Sequence, residues 1–385
     1  MPAVPPLDPL EVCAGIFLGD RRTPLPAAPP LPGGPRAVLE AVLRDALVAG
    51  PCHVSFSGGR DSSAILAAAV HVARREGLPD PVPLTARYPE HPDAQESEWQ
   101  ELVVRHLGLR EWTVFDVTTE LDVLGAVARR ALARHGVTGI PAAHSMVLFA
   151  ERAGGGTLLT GTGGDEVFSS WGHRRRPVQR ILQLRPPRRA ARALAAEALP
   201  RRVRHARETR RTSARVGLPW LTDAANAELA ERWRASSRFE RTWGAGLRGM
   251  LESRGYEVIR AVLGAYAADA GVRLVEPFFD PRFVRAYAAH GPRLGPPGRD
   301  AALEELFDDL LPRSILRRQT KATFNGVLLG PDAAAFADAW DGTGLDEALV
   351  RPDAVRAQWR DAHSDSRALP AMQAAWLSAG SPPPR

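Results

Sequence analysis

The sequence predicts an α/β fold: a doubly wound parallel sheet with helices on both faces, followed by a mostly helical C-terminal region. Three observations carry this. Short β-type runs alternate with helical segments from Pro35 to about Gly161. The helical segments are long enough to serve as crossovers between parallel strands. From about Leu218 onward the text reads as helix.

The elements follow in order. Residues 1–35, with the run PLPAAPPLPGGP, read as a Pro/Gly-rich N-terminal arm or linker. AVLEAVLRDALVAG has helical spacing and ends on Gly50. CHVSFS reads as a strand, GGRDSS as a turn, and SAILAAAVHVARREG as a helix closing at Gly77. PVPLTARY is a second strand and DAQESEWQELVVRHLGL a helix with an acidic first turn. EWTVFDV is a third strand, LDVLGAVARRALARHG a third helix, AAHSMVLFAERAGGG another helix and TLLTG another strand. The expected divisions are an arm over 1–35, an α/β domain over 36–172, an Arg-rich helical excursion over 173–217 and a helical part over 218–385.

Composition sets limits. The chain is 44% hydrophobic and 24% charged, as in soluble globular proteins. No apolar run is long enough to cross a bilayer. The start MPAVPPLDPL lacks the basic and apolar parts of a secretory signal, so the expected location is the cytoplasm. Cys13 and Cys52 form no CxxC pair and read as small buried residues.

Of 50 basic residues one is lysine, Lys321. Arginine replaces lysine at little loss on a surface, but fails where a compact, rotatable ammonium is needed. Lys321 is therefore a candidate for chemistry, with chance survival as the alternative. It follows Thr320, so no Gly-Lys-Ser/Thr phosphate loop exists and P-loop NTPases are excluded. The lysine of the protein-kinase signature has no place either.

Ser57-Gly58-Gly59-Arg60-Asp61-Ser62-Ser63 lies between a strand and a helix, where open α/β sheets bind ligands. Gly58 and Gly59 allow a tight turn with N–H groups aimed at an anion. The helix start adds its positive end, and Ser57, Ser62 and Ser63 add hydroxyls. Asp61 would repel a bare phosphate, which calls for a bridging Mg²⁺. The combination builds a pyrophosphate cradle; the alternative is a Gly-rich turn with Asp61 and Ser62 as helix caps.

SGGRDSS is similar to the PP-loop of the ATP-pyrophosphatases, the group of asparagine, GMP and NAD synthetases and of tRNA-thiolating enzymes. Thr160-Gly161-Thr162-Gly163-Gly164-Asp165-Glu166-Val167-Phe168 resembles the SGEGxDELF motif of asparagine synthetases. Glu276-Pro277-Phe278-Phe279-Asp280 looks like their RxPFLD segment, and Lys321-Ala322-Thr323-Phe324 like their KxGF segment. The four occur in family order and cover roughly residues 36–340. The resemblance implies an adenine nucleotide α-hydrolase-like fold. It further implies an ATP site lined by Phe56, Ser57, Gly58, Gly59, Asp61, Ser62, Ser63, Ala86, Thr160 and Gly161. Asp61 and Asp165 would hold Mg²⁺, and Lys321 would steady the acyl-adenylate. Adenylation builds negative charge on phosphate oxygens, which cations stabilise. Gly161-Thr162-Gly163 opens like a dinucleotide fingerprint, but its last glycine would fall on Glu166, so a Rossmann cofactor site is not expected.

Three departures shape the functional expectation. Glutamine-dependent asparagine synthetases begin with a glutaminase domain; only some 35 residues precede the similar region here. Nitrogen is then expected from ammonia, a separate subunit or another amine. The family glutamate implied to help deprotonate the nitrogen is Thr162, a poor base, which leaves Glu166, His144 or the substrate to take the proton. The arginine of RxPFLD falls on Val275, with Glu276 after it, inverting the local charge.

The expected enzyme is a specialised amide or lactam former, similar to lasso-peptide cyclases and β-lactam synthetase, acting on ATP, a carboxylate (an Asp or Glu side chain, or a small acid) and an amine. A separate amine-donor or peptide-recognition subunit fits that picture. Asparagine synthesis, tRNA modification and a non-catalytic partner subunit are the alternatives. Residues 174–215 carry 15 arginines, yet no aromatic lies between Trp171 and Trp220, so a solvated helical excursion is preferred over nucleic-acid binding. His135 and His144 read as loop or capping histidines or proton carriers. Glu96 and Glu98 read as helix-dipole carboxylates, and the tryptophans as core or interface residues.

Overall fold

Five parallel strands build one sheet: β1 (Cys52–Ser55), β2 (Val82–Arg87), β3 (Thr113–Asp116), β4 (Thr157–Leu159) and β5 (Arg273–Val275), in the order β3-β2-β1-β4-β5. This computed structural model describes residues 4–19, 23–25, 32–168, 216–236, 242–291, 295–320, 325–361 and 364–380. The Arg-rich stretch 174–215 and the Lys321–Phe324 segment lie outside the described residues.

Registers are continuous across the sheet. His53 pairs with Val82 on one side and Leu158 on the other, and Leu158 pairs with Leu274. Side chains alternate across a strand, and the two faces feed separate cores. Leu158 packs with Leu84, Met146 and Val262, whereas Leu159 packs with Val54, Ile65 and Leu66. That two-sided burial is what a doubly wound sheet requires.

Among the described residues up to Phe168 the α-helices are α1 (Pro9–Ala14), α2 (Pro35–Leu47), α3 (Arg60–Arg75), α4 (Ser97–Leu107), α5 (Ala126–His135), α6 (Ser145–Ala153) and α7 (Gly164–Phe168). α2 and α3 cover one face, α6 and helix Arg254–Asp269 the other. The chain leaves β1 toward β2 and β3, then returns to add β4 on the opposite side of β1. The carboxyl ends of β1 and β4 therefore flank the crevice where strand order reverses, the ligand position of such sheets.

The expected mostly helical region after Leu218 also supplies the edge strand β5 (Arg273–Val275), so the sheet draws on both sides of the boundary near 218. Two expectations need correction. Residues 4–19 are not an extended arm. A reciprocal capping box between Asp8 and Glu11 starts α1, Gly15 ends it at φ 58°, and Leu10, Cys13 and Ala14 are buried. The expected helix over LDVLGAVARRALARHG starts only at Ala126. The buried Asp122 carboxylate accepts from the N–H groups of Leu124 (2.9 Å) and Asp332 (2.8 Å), and this local alternative displaces the first helical turn. Both cysteines are buried, and burial pushes each thiol up to about 12, so neither is a thiolate at neutral pH.

Glu11 ties the N-terminal segment to the body. Its side chain is fully buried, accepts from Leu18 N–H at 2.7 Å and pairs with Arg254 at 2.7 Å. Removing one partner strands a buried charge. Arg254→Met is expected to destabilise by about 2–3 kcal/mol, less than for a bare pair because backbone donors still serve Glu11. The urea unfolding midpoint checks this.

Candidate active site

The loop after β1 turns within two glycines. Gly58 adopts φ +81°, and a Cβ there would come within 2.8 Å of Gln100 Cγ. Gln100 donates to the Ser57 carbonyl at 3.2 Å. Ser57 and Ser62 hydroxyls lie 3.1 Å apart, and Ser57 N–H donates to Ser62 Oγ at 3.3 Å. Gly59 N–H donates to Ser57 Oγ at 3.2 Å. α3 then begins with Gly59 as N-cap and no side-chain cap. Its first-turn N–H groups and dipole are thereby left to an incoming anion. The capping alternative for Asp61 and Ser62 is not what forms: Ser62 Oγ donates to the Gly59 carbonyl at 3.2 Å, and Asp61 binds a cation.

The loop after β4 comes down directly on that turn. A Cβ on Gly161 would lie 2.6 Å from Ser62 N, and one on Gly164 would lie 2.2 Å from Asp61 Cγ. Only glycine permits this approach. Thr160 is buried and donates to Thr162 Oγ1 at 2.9 Å. Phe56 is fully buried with its ring in the α2–α3 core, and Ala86 is buried at the end of β2, so these two offer mainly backbone to a ligand. Ser63 is fully buried, and its Oγ has no hydrogen-bond partner among the described residues.

Asp61 and Asp165 meet on one guanidinium. Arg299, first residue of helix Arg299–Phe307, donates to Asp61 Oδ1 at 2.7 Å and Oδ2 at 2.5 Å, and also to Asp165 Oδ1. The next residue, Asp300, takes Arg60 at 2.7 Å and Gln319 at 3.2 Å. Burial raises the Asp61 carboxyl, Arg299 opposes this, and Asp165 adds to it, leaving it above the usual range. Burial works against the Arg299 charge, yet the two aspartates hold it above its ordinary value.

This donor set fits Mg²⁺. Two carboxylates already share one cation, and Mg²⁺ characteristically takes one or two protein carboxylates and fills its shell with phosphate and water oxygens. Among the described residues no group of three or more His, Cys, Asp or Glu gathers as a cage.

A second pair of carboxylates lies beyond this pair. Burial raises the carboxyl of Glu166, on α7, against a hydrogen bond from Tyr256; Asp165 and Asp61 raise it further. Glu276 stands at the carboxyl end of β5, and its Oε1 is enclosed without a hydrogen-bond partner among the described residues. Burial pushes its carboxyl up to about 7, with Arg260 opposing and Glu166 adding. It also lines an open cleft of about 250 Å³ with Arg260, Arg273, Asp280 and Arg282.

The histidines belong elsewhere. His135 Nε2 meets Asp269 at 2.6 Å, and its ring packs on Tyr266. His144 is buried with Nδ1 2.9 Å from the Pro141 carbonyl. Glu98 is exposed in the first turn of α4, as expected, but Glu96 is buried and paired with Arg318 at 2.5 Å. Arg299 and Arg318 are the side chains at this site that sequence reasoning missed: nothing in their neighbourhoods separates them from the other arginines.

The fold and site define an α/β protein with an anion-directed loop and a carboxylate pair at the switch point of its sheet. The chain belongs to the asparagine synthase family, whose model matches residues 36–379. That membership makes it a carbon–nitrogen ligase of the asparagine synthase type. A search of curated proteins finds no match.

Gly164→Ala places a methyl group inside the Asp61 carboxylate. ATP affinity is expected to fall at least about tenfold, a loss of ~1.4 kcal/mol, with the circular dichroism spectrum unchanged. Titration calorimetry with Mg·ATP reads it.

Proposed function

We propose that this protein activates a carboxylate by adenylation with ATP and passes it to an amine, releasing pyrophosphate and AMP and forming an amide or lactam in a specialised biosynthetic pathway. The observation that carries the reading is the convergence of Asp61 and Asp165 on one cation beside the uncapped start of α3.

Each part has a task. Ser57, Gly58, Gly59, Ser62 and Ser63 cradle the pyrophosphate. Backbone at Phe56, Ala86, Thr160 and Gly161 borders the nucleotide. Asp61 and Asp165 hold Mg²⁺, which supplies Lewis-acid neutralisation of the phosphate oxygens. Arg299 turns from the carboxylates to the departing phosphates, where a planar fork suits phosphate geometry. Lys321 contributes a compact ammonium to the acyl-adenylate.

The amine side carries two carboxylates, Glu166 and Glu276. Thr162 is a poor base, and its hydroxyl accepts from Thr160. Glu166 and Glu276 stand ready to attract a protonated amine and take its proton. The acyl donor is an Asp or Glu side chain or a small acid. The setting is the cytoplasm, and a separate amine-donor or peptide-recognition subunit completes the system where the donor is a peptide. Family membership favours one second reading, asparagine synthesis from aspartate and ammonia.

ATP–pyrophosphate exchange across a carboxylate panel separates these readings. Exchange with peptides bearing Asp or Glu supports the proposal, exchange with aspartate alone supports asparagine synthesis, and no exchange by folded protein refutes adenylation. Within that assay Asp61→Ala is expected to lower the rate about 10²–10³-fold with thermal stability retained. Arg299→Met is expected to lower it about 10–100-fold, the loss of a charge-assisted phosphate contact.

A further inference from the structure

Arg318 is an almost fully enclosed arginine far in sequence from Gly58, Glu96 and Trp99, which it touches. It is 7% exposed. Its Nη2 donates to Glu96 Oε1 at 2.5 Å, and its Nη1 to the Gly58 carbonyl at 3.1 Å. Its Nε donates to Thr320 Oγ1 at 2.9 Å, and its guanidinium lies 4.7 Å from the Trp99 ring centre. Glu96 is equally enclosed, at 7%.

Burying a guanidinium and a carboxylate is expensive unless geometry and further hydrogen bonds compensate. Here the compensation is directed at one place, the turn after β1. Gln100, one turn along α4 from Glu96, holds the Ser57 carbonyl, and Arg318 holds the Gly58 carbonyl. In a trans peptide the N–H points opposite to the carbonyl it shares a plane with. Fixing these two carbonyls therefore fixes the directions of the Gly58 and Gly59 N–H groups. Glycine supplies no side chain to hold that turn, so the orientation must come from outside it.

The same arginine anchors a second element. Gln319 reaches Asp300 and Arg317 pairs with Glu304, so residues 317–320 are bound to helix Arg299–Phe307 as well as to the β1 loop. Lys321 follows Thr320 directly in the chain.

We propose that Arg318 is a positioning residue for phosphate binding: held by Glu96 and Trp99, it sets the peptide planes of the Gly58–Gly59 turn and ties residues 317–320 to that turn. This rests on the ligase reading above. A guanidinium is required because one planar group must serve the Glu96, Gly58 and Thr320 acceptors at once while stacking on an aromatic face; lysine cannot do so.

The test measures Mg·ATP affinity by calorimetry and ATP–pyrophosphate exchange for wild type, Arg318→Lys, Arg318→Met and Glu96→Gln, each with a thermal unfolding curve. The expected result is ATP binding weakened tenfold or more in both Arg318 variants, with the KM for the carboxylate within twofold of wild type. Glu96→Gln, which keeps the side-chain shape, is expected to weaken ATP binding about threefold to tenfold. Adding it to Arg318→Met is expected to weaken binding no further, because both act through the Gly58 carbonyl. Lysine failing to rescue a folded variant marks positioning, since a purely structural cation would be replaced. Folded Arg318→Lys or Glu96→Gln protein with wild-type ATP affinity overturns the proposal, even where Arg318→Met fails to fold. Wild type that binds ATP but exchanges with no carboxylate refutes the ligase reading instead, and the binding comparison still decides Arg318.

Discussion

The site depends on one steric constraint: the loops after β1 and β4 touch through backbone. Gly161 lies against the Ser62 N–H and Gly164 against the Asp61 carboxylate, with no room for a Cβ at either contact. Parallel pairing of β1 with β4 aims both loops at the same crevice. The glycines then let the second loop descend far enough for Asp165 to share a cation with Asp61. Were either loop lifted by a side chain's width, the two carboxylates would part and the first turn of α3 would face solvent.

That contact explains why distant parts of the chain gather there. Two carboxylates and an uncapped helix start form a polar hole beside cores that, among the described residues, form three clusters. Arg299 and Arg60 enter it from opposite partners, with Asp300 balancing Arg60. Arg318 closes the far side of the β1 turn. Each charge is met by another, as burial demands.

Much of this was legible in the sequence because it depends on local signals. Strands β1 to β4 announced themselves by apolar runs between turn residues, and the two glycine-rich motifs by their position after strands. Strand β5 is three residues long and has an exposed Arg273, so it shows no run and exists only because β4 offers an edge. α1 hid inside a proline-rich stretch whose composition outweighed its capping box. Glu96 looked like a dipole carboxylate because its partner lies 222 residues away. Arg299 had no signal at all: a guanidinium that neutralises two aspartates reads like any other where arginine fills nearly every basic position.

The charge balance of the crevice also bears on the order of events. Asp61 and Asp165 meet Arg299 there, and Glu166 and Glu276 add negative charge from beyond, opposed by Arg260. Even with Glu276 partly protonated near neutral pH, the centre is not positive. A bare nucleotide triphosphate would be repelled, so cations must accompany it. On the proposed reading Arg299 turns to the phosphates and the aspartates take a replacement cation. The amine then arrives beside Glu166 and Glu276 as an ammonium, and only its neutral form attacks. A carboxyl whose pKa is about 7 is suited to that exchange, because it can accept the proton without being permanently charged. On the proposed reading the proton passes to Glu276, at the end of the strand beside β4, so Thr162 need not serve as the base.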